Sequence, residues 1–257
     1  MLPKISIITP SYNQVKFIEK TIKSVVSQNY PNLEYIIKDA GSTDNTLAII
    51  KKYAKKYTEI KWVSKRDRGQ ADGINQGIKI SSGEIIAYLN SDDMHTPKTL
   101  DLVGKYFAKN PDAMWLSGDY TIINERGKKI QSWIVSYKRL FRSFSSFQTL
   151  AIVNYIPQPS TFWRRELMEN IGYYDESLHL VLDYDYWLRA IQKYPLHKTS
   201  SSLSFFRIHG QAKGTADYQK QFTDSYKIIK RYTNSPILLI LHKVHALLTI
   251  IAYKILK

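Results

Sequence analysis

The 257-residue chain contains no cysteine. That excludes a disulfide framework and a thiolate metal site, and it fits a cytoplasmic protein. No charged stretch leading into an apolar run opens the sequence, so no secretory leader is expected. Neither G-x-G-x-x-G after the first strand nor G-x-x-x-x-G-K-[ST] occurs. The dinucleotide fingerprint and the P-loop are therefore absent, and any phosphate must be held another way. Acid is the other scarcity. Residues 126–165 carry eight Lys or Arg and no Asp or Glu, and residues 186–257 carry twelve against Asp217 and Asp224. The net charge of +15 is concentrated there. A basic surface attracts nucleic acid, anionic lipid or a phosphorylated substrate; a solvated lysine-rich face is the less favoured alternative.

What is present is an ordinary globular composition, 44% hydrophobic and 23% charged, which argues against disorder and against a multi-span membrane protein. Through the first hundred residues short apolar runs alternate with helical patterns. Strands are predicted at Ile5–Thr9, Leu33–Ile37, Ile60–Val63 and Glu84–Leu89. Helices are predicted at about 15–28, 45–57, Gln70–Ile80 and Pro97–Lys109. This alternation predicts βαβ units around a mostly parallel, Rossmann-like sheet. Ligands bind outside the carboxyl ends of such strands, and the polar clusters Thr9–Asn13, Asp39–Asp44, Asp67–Asp72 and Asn90–Asp93 fall there. Beyond residue 114 the pattern changes. Met114–Asn124 and Lys129–Val135 read as a hairpin around Glu125, Arg126 and Gly127. Helices are expected at Arg164–Ile171, Asp183–Tyr194 and about 216–232, with a late strand at Leu203–Ile208.

Three clusters carry possible chemistry. Asn90, Ser91, Asp92 and Asp93 offer hard oxygen ligands suited to Mg²⁺ or Mn²⁺; a helix cap accounts for either aspartate as well. Asp183 and Asp185 open a helix two residues apart, so they do not share a face. One can act as a general base, while capping and an ion pair to Arg189 explain both without chemistry. Arg207 and His209 occupy alternate positions of a strand and can point one way, toward a diphosphate or a metal. Trp133, Trp163 and Trp187 read as core or as sugar-stacking residues, with core favoured for at least two.

In order, these segments resemble family 2 glycosyltransferases. The resemblance rests on Ile5 to Asn13 (ISIITPSYN), Ser24 and Gln28, Asp39 to Asp44 (DAGSTD), and Asp67 to Asp72 (DRGQAD). It continues through Asn90 to Asp93 (NSDD), Gln158 to Ser160, Asp183 to Arg189 (DYDYWLR), and Phe206 to His209 (FRIH). It covers about residues 4–210 and implies a GT-A fold, with 1–112 as a nucleotide-binding half and 113–210 as an acceptor-binding half. It implies inverting transfer from a nucleoside diphosphate sugar, UDP-linked by default, with Mn²⁺ or Mg²⁺. Pro10, Tyr12 and Asp39 would then line the nucleoside pocket. Arg68 and Asp72 would lie near the base or phosphates, Ser91 and Asp92 at the end of the D-x-D motif, and Arg207 near the diphosphate. Asp92 and His209 would hold the metal, and Asp183 would be the catalytic base. Three positions depart from the family pattern. Asn90 stands where the first D of D-x-D is common, Leu182 where Glu often precedes the base, and Ala40 where a second Asp is frequent.

Residues 211–257 read as a basic helical extension. On a helical wheel Ile237, Ile240, Leu241, Val244, Leu247, Leu248, Ile251 and Ile255 form one apolar arc. Lys243 would sit inside a span, so the segment suits either an in-plane helix on an anionic membrane or a helix packed against protein. Attachment to the inner face of the cell membrane would agree with a saccharide or lipid-linked saccharide acceptor. Two other readings compete. A sugar-phosphate nucleotidyltransferase usually needs a Gly-rich loop where Pro10 to Asn13 stand. A polyanion-binding module would predict steeply salt-dependent binding, yet no nucleic-acid fold motif is present and no nucleic-acid partner is expected.

Overall fold

β1 (Ile5–Ser11), α1 (Ile18–Val26), β2 (Leu33–Asp39), α2 (Thr46–Lys56), β3 (Ile60–Ser64), α3 (Gln70–Ile80) and β4 (Ile85–Tyr88) alternate as expected. The computed structural model describes residues 1–210 and 218–255. The first four strands are parallel in the spatial order β3-β2-β1-β4. Ile5, Ile7 and Ile8 of β1, Ile36 and Ile37 of β2, and Ile85 and Ile86 of β4 are fully buried. Burial on both faces is what a near-continuous apolar run provides in a parallel sheet. The helices close on this sheet with little room to spare. A Cβ added at Gly77 of α3 would lie 2.5 Å from Ile8 Cγ2, so glycine permits the approach of α3 to β1.

The second half extends the same sheet through β5 (Met94–His95), β6 (Trp115–Asn124), β7 (Thr161–Arg164) and β8 (His197–Ile208), in the full order β3-β2-β1-β4-β7-β6-β8-β5. β7 runs antiparallel to both β4 and β6, and β8 is parallel to β6. α4 (Thr99–Lys109), α5 (Ser132–Ser143), α6 (Phe147–Ile152), α7 (Arg165–Ile171) and α8 (Leu182–Lys193) connect these strands.

The predicted hairpin is corrected here. The turn forms, with Gly127 N donating to Asn124 O (2.9 Å), but the return extends only to the bridge between Ile123 and Lys129. Gln131 then adopts φ 50°, and the chain enters α5 where a strand was expected to run on to Val135. Trp133, Tyr137, Leu140 and Phe144 recur at helical spacing, a pattern the alternation of Ile130, Ser132 and Ile134 obscures. Arg142 then fastens α5 to β6 through a buried ion pair with Asp119, which Arg139 joins at 2.7 Å. The late strand is also longer than expected, since β8 begins at His197. Its Ser- and Thr-rich start pairs with Leu116 to Asp119 of β6.

α9 (Tyr218–Ile229) and α10 (Pro236–Ile255) follow; residues 211–217 and 256–257 of the expected extension lie outside the described residues. These helices dock on the preceding chain through specific groups. Tyr232 Oη donates to Asp185 (2.6 Å), Arg231 pairs with Asp175 (3.0 Å), and His242 Nδ1 lies 2.7 Å from Ala151 O. The apolar arc of α10, from Ile237 to Ile251, faces outward and is exposed. Among the described residues no helix is long and apolar enough to cross a membrane.

Candidate active site

Because β1 to β4 are parallel, their carboxyl ends share one edge. A cleft of about 760 Å³ opens there. Of the residues singled out in the sequence, Pro10, Tyr12, Ser91, Asp92 and Arg207 line it, together with Gly41, Arg66, Asp67, Gln70 and Asn90. Asp39, Arg68, Asp72, Asp183 and His209 are not among the lining residues.

Asp39 lies beneath the wall. Its Oδ2 accepts from Gly41 N (3.1 Å), Ser42 N (3.0 Å) and Ser64 Oγ (2.6 Å), and its Oδ1 from Ser42 Oγ. The carboxylate thus shapes the loop whose Ala40 and Gly41 face the cleft. Asp72 accepts from the Arg68 backbone N–H (2.9 Å) and sits in the first turn of α3. Burial alone would raise its pKa, but the hydrogen bonds from Arg68 and Gln76 outweigh that and hold it down to about 2. The Arg68 guanidinium pairs with Asp72 and with Glu176. Arg66, which the sequence reading passed over, lines the cleft and has no ion pair among the described residues. Two positions separate it from Arg68, and only the course of the loop shows which one faces the cleft.

The turn after β4 is held from two sides. Thr21 Oγ1 lies 2.9 and 2.7 Å from the carbonyls of Ser91 and Asp93. From β8, Arg207 N donates to Asp93 Oδ1 (2.8 Å). The Arg207 side chain, 1% exposed, donates to the carbonyls of Asp92 (2.8 Å), Asn124 (3.1 Å) and Glu125 (3.2 Å) and lies over the Phe17 ring. It lines the cleft, but its Nε and Nη1 donors go to backbone carbonyls and its Nη2 to the Met94 sulfur (3.6 Å). Asp93 is buried, and its pKa is pushed well up by that burial and by the charge of Asp92.

Asp92 is brought together with His209. His209 Nε2 stands 3.0 Å from Asp92 Oδ2, and the ring packs 4.6 Å from Phe17. Among the described residues no group of three or more His, Cys, Asp or Glu is poised for a metal. The Asp92 carboxylate and the neighbouring polar turn suit a cation that takes its remaining ligands from water and phosphate, as Mg²⁺ and Mn²⁺ do, while the imidazole nitrogen favours the softer Mn²⁺ of the two.

Asp183 opens α8 and is half-buried. Its Oδ1 accepts from Tyr184 N (2.8 Å), so it does contribute a capping bond. Burial raises its pKa, opposed by its hydrogen bond from Tyr184 and by the Lys138 ammonium across from it on α5. Asp185 is purely structural, 2% exposed and bonded to Arg189 Nε (3.0 Å) and Tyr232. Trp163 and Trp187 are core, and Trp133 is 51% exposed.

The model of the family described as "Glycosyl transferase family 2" matches residues 6–172. The chain belongs to this family. It is 30% identical over 178 residues to the poly-beta-1,6-N-acetyl-D-glucosamine synthase of Staphylococcus epidermidis, covering 68% of this chain and 42% of that protein. The family 2 chain also superposes on TarS 1-349 of S. aureus, solved with UDP-GlcNAc (TM-score 0.69, 21% identity, 88% of this chain and 65% of that one). A further likeness is to the mannosyltransferase PcManGT of Pyrobaculum calidifontis, solved with GDP-Man and Mn²⁺ (TM-score 0.73, 18% identity, 94% and 69%). The fold is GT-A, as the motifs imply. The chain spans 35% of the length of the Rickettsia felis and Rickettsia conorii glycosyltransferases that it matches over most of its own, and 79% of those of Rickettsia typhi and Rickettsia prowazekii.

Proposed function

We propose that this chain catalyses inverting transfer of a sugar from a nucleoside diphosphate sugar, UDP-linked by default, to a hydroxyl of a saccharide or lipid-linked saccharide acceptor in polysaccharide assembly. The observation that carries this reading is the Asp92–His209 pair at the carboxyl-end cleft of a parallel sheet. The nucleoside lies against Pro10 and Tyr12, above the loop that Asp39 organises. Asp39, fully buried beneath the wall, acts on the nucleoside through the loop whose Ala40 and Gly41 face the cleft. Arg66 offers the diphosphate a free cation, while Arg68 and Asp72 hold the loop beside it. Asp92 and His209 would hold Mn²⁺ or Mg²⁺, which when bound neutralises charge on the departing diphosphate. Arg207 fixes the Asp92 backbone and so aims that pair.

Asp183 takes the proton of the acceptor hydroxyl as the oxygen bonds to the anomeric carbon. The bond to the diphosphate oxygen breaks with its electron pair leaving on the nucleoside diphosphate. Burial raises the basicity of Asp183, and a general base is worth roughly 10²–10⁴-fold. Asp183 stands outside the donor cleft, which suits a residue that meets the acceptor. We read α10 as an in-plane helix on the inner face of the membrane, placing the enzyme near a lipid-linked acceptor.

A thermal-shift panel of UDP, GDP, dTDP and CMP with Mn²⁺, Mg²⁺ or EDTA tests the donor site. Ligand at 100 times its dissociation constant stabilises by about 2.7 kcal/mol. A shift restricted to one nucleotide, requiring metal and absent in Asp92→Ala, supports the reading. A folded protein that responds to none of them refutes it and favours polyanion binding.

A further inference from the structure

The outward faces of α5 and α10 remain unexplained by the transfer reaction. On α5, Trp133, Tyr137 and Leu140 are exposed and recur at i, i+4 and i+7, one stripe, and Phe144, the residue that ends the helix, is exposed beyond it. On α10 the exposed residues run from Ile237 to Ile251 along one face. The two helices are neighbours, since the Tyr137 and His245 rings stack with a 3° interplanar angle and centroids 6.1 Å apart. The inner face of α10 is tied down by His242, whose Nε2 lies 3.1 Å from Ser225 Oγ, so the helix cannot simply roll its apolar side inward.

We propose that α5 and α10 together form one docking face for an anionic bilayer, with Trp133 of α5 and Phe144 at its C-terminal end entering the headgroup region beside Leu247 and Leu248 of α10. This rests on the reading of α10 as interfacial and adds α5 to it. Charge selects the occupant. The turn leading into α5 carries exposed Arg126, Lys128 and Lys129 against Glu125 alone, and no acid occurs between 126 and 165 or after Asp224. Lys243 projects from α10 and lies over Tyr226. Apolar side chains beside basic ones bind anionic lipid through burial and charge together. A second copy docked on this face would set the same cations against each other, which opposes self-association.

Co-sedimentation with vesicles of phosphatidylcholine, alone and mixed with phosphatidylglycerol, tests the face. Three proteins are compared: the full chain, the α5 variant Trp133→Ser/Leu140→Ser/Phe144→Ser, and the α10 variant Leu247→Ser/Leu248→Ser. Wild type binds the anionic vesicles and is released by salt, and each variant loses roughly tenfold or more in partitioning. Brominated lipid quenches wild-type fluorescence through Trp133; Trp133→Phe keeps binding and loses the quenching, because Trp62 lies on β3 and the other three tryptophans are buried. An α5 variant that binds like wild type, together with no quenching of Trp133 in the wild-type chain, overturns the shared face while leaving α10 as anchor. No wild-type binding to anionic vesicles overturns both. A wild-type dimer that both variants convert to monomer also overturns the proposal and assigns the face to a second copy.

Discussion

Asp92 and His209 are 117 positions apart in the chain, yet their polar side-chain atoms lie 3.0 Å apart. The pairing depends on β8 returning beside β5 and β6, so that the end of the last strand reaches the turn after β4. His209→Ala should therefore behave as a metal-site variant. Metal-dependent stabilisation by the nucleotide should fall well below the wild-type value of about 2.7 kcal/mol expected at 100 times the dissociation constant. Nucleotide titration with and without Mn²⁺ measures this; an unchanged metal requirement would remove His209 from the site.

Arg207 should tolerate no conservative replacement. Its guanidinium serves three carbonyls at once, and a lysine ammonium on a flexible stem cannot reproduce that fork. Arg207→Lys should cost roughly 2–4 kcal/mol, combining lost charge-assisted bonds with carbonyls left unsatisfied. Urea denaturation gives the stability, and the nucleotide shift should weaken in the same protein because the Asp92 backbone loses its brace.

Asp183→Asn should separate binding from chemistry. Nucleotide-induced stabilisation should persist, and transfer should fall by roughly 10²–10⁴-fold. Lys138→Met supplies a finer test. The Lys138 charge lowers the Asp183 pKa against the upward push of burial. Removing it raises that pKa, so the base is protonated to higher pH. The acid limb of kcat/KM should move to higher pH, and an unmoved limb would mean that Lys138 does not sense the base.

Glu34 should account for part of the acid sensitivity, far from the cleft. Burial would raise its pKa, but hydrogen bonds from Lys61, Ser6 and Ser82 outweigh burial and hold it down to about 2. A carboxylate depressed in the folded state stabilises above its unfolded pKa, and this is lost as pH falls from about 4.5 toward 2. Glu34→Gln should lower stability at neutral pH and flatten the stability profile across that window. Denaturation midpoints recorded through the acid range provide the check.

Where local pattern decides structure, the sequence is readable. The Ile-rich runs of β1, β2 and β4 are buried on both faces and show it. The motifs at their ends led to Pro10, Tyr12, Ser91 and Asp92, all of which line the cleft. Legibility falls where tertiary contacts decide. Trp133, Ile134 and Val135 carry apolar side chains that suit a strand or a helix; the Arg142–Asp119 pair and the left-handed Gln131 settle the matter, and neither is visible in a short window. The same limit applies to Arg66 and Arg68, whose exchange of roles depends on Glu176 more than a hundred residues away. Asp92 and His209 were each legible as ligand types, but their proximity is a property of β8.

The hydrogen bond from Tyr232 to Asp185 makes the C-terminal helices more than a tether. Asp185 lies two residues beyond Asp183 on α8 and is closed off from water, so removing Tyr232 would strip a buried carboxylate of a partner beside the base. A chain cut after residue 210 would lose its outer helices and also slacken the helix that presents Asp183. In the proposed scheme the membrane-facing helix and the base are joined through Tyr232 and Asp185, so a pull on α10 would be passed toward α8.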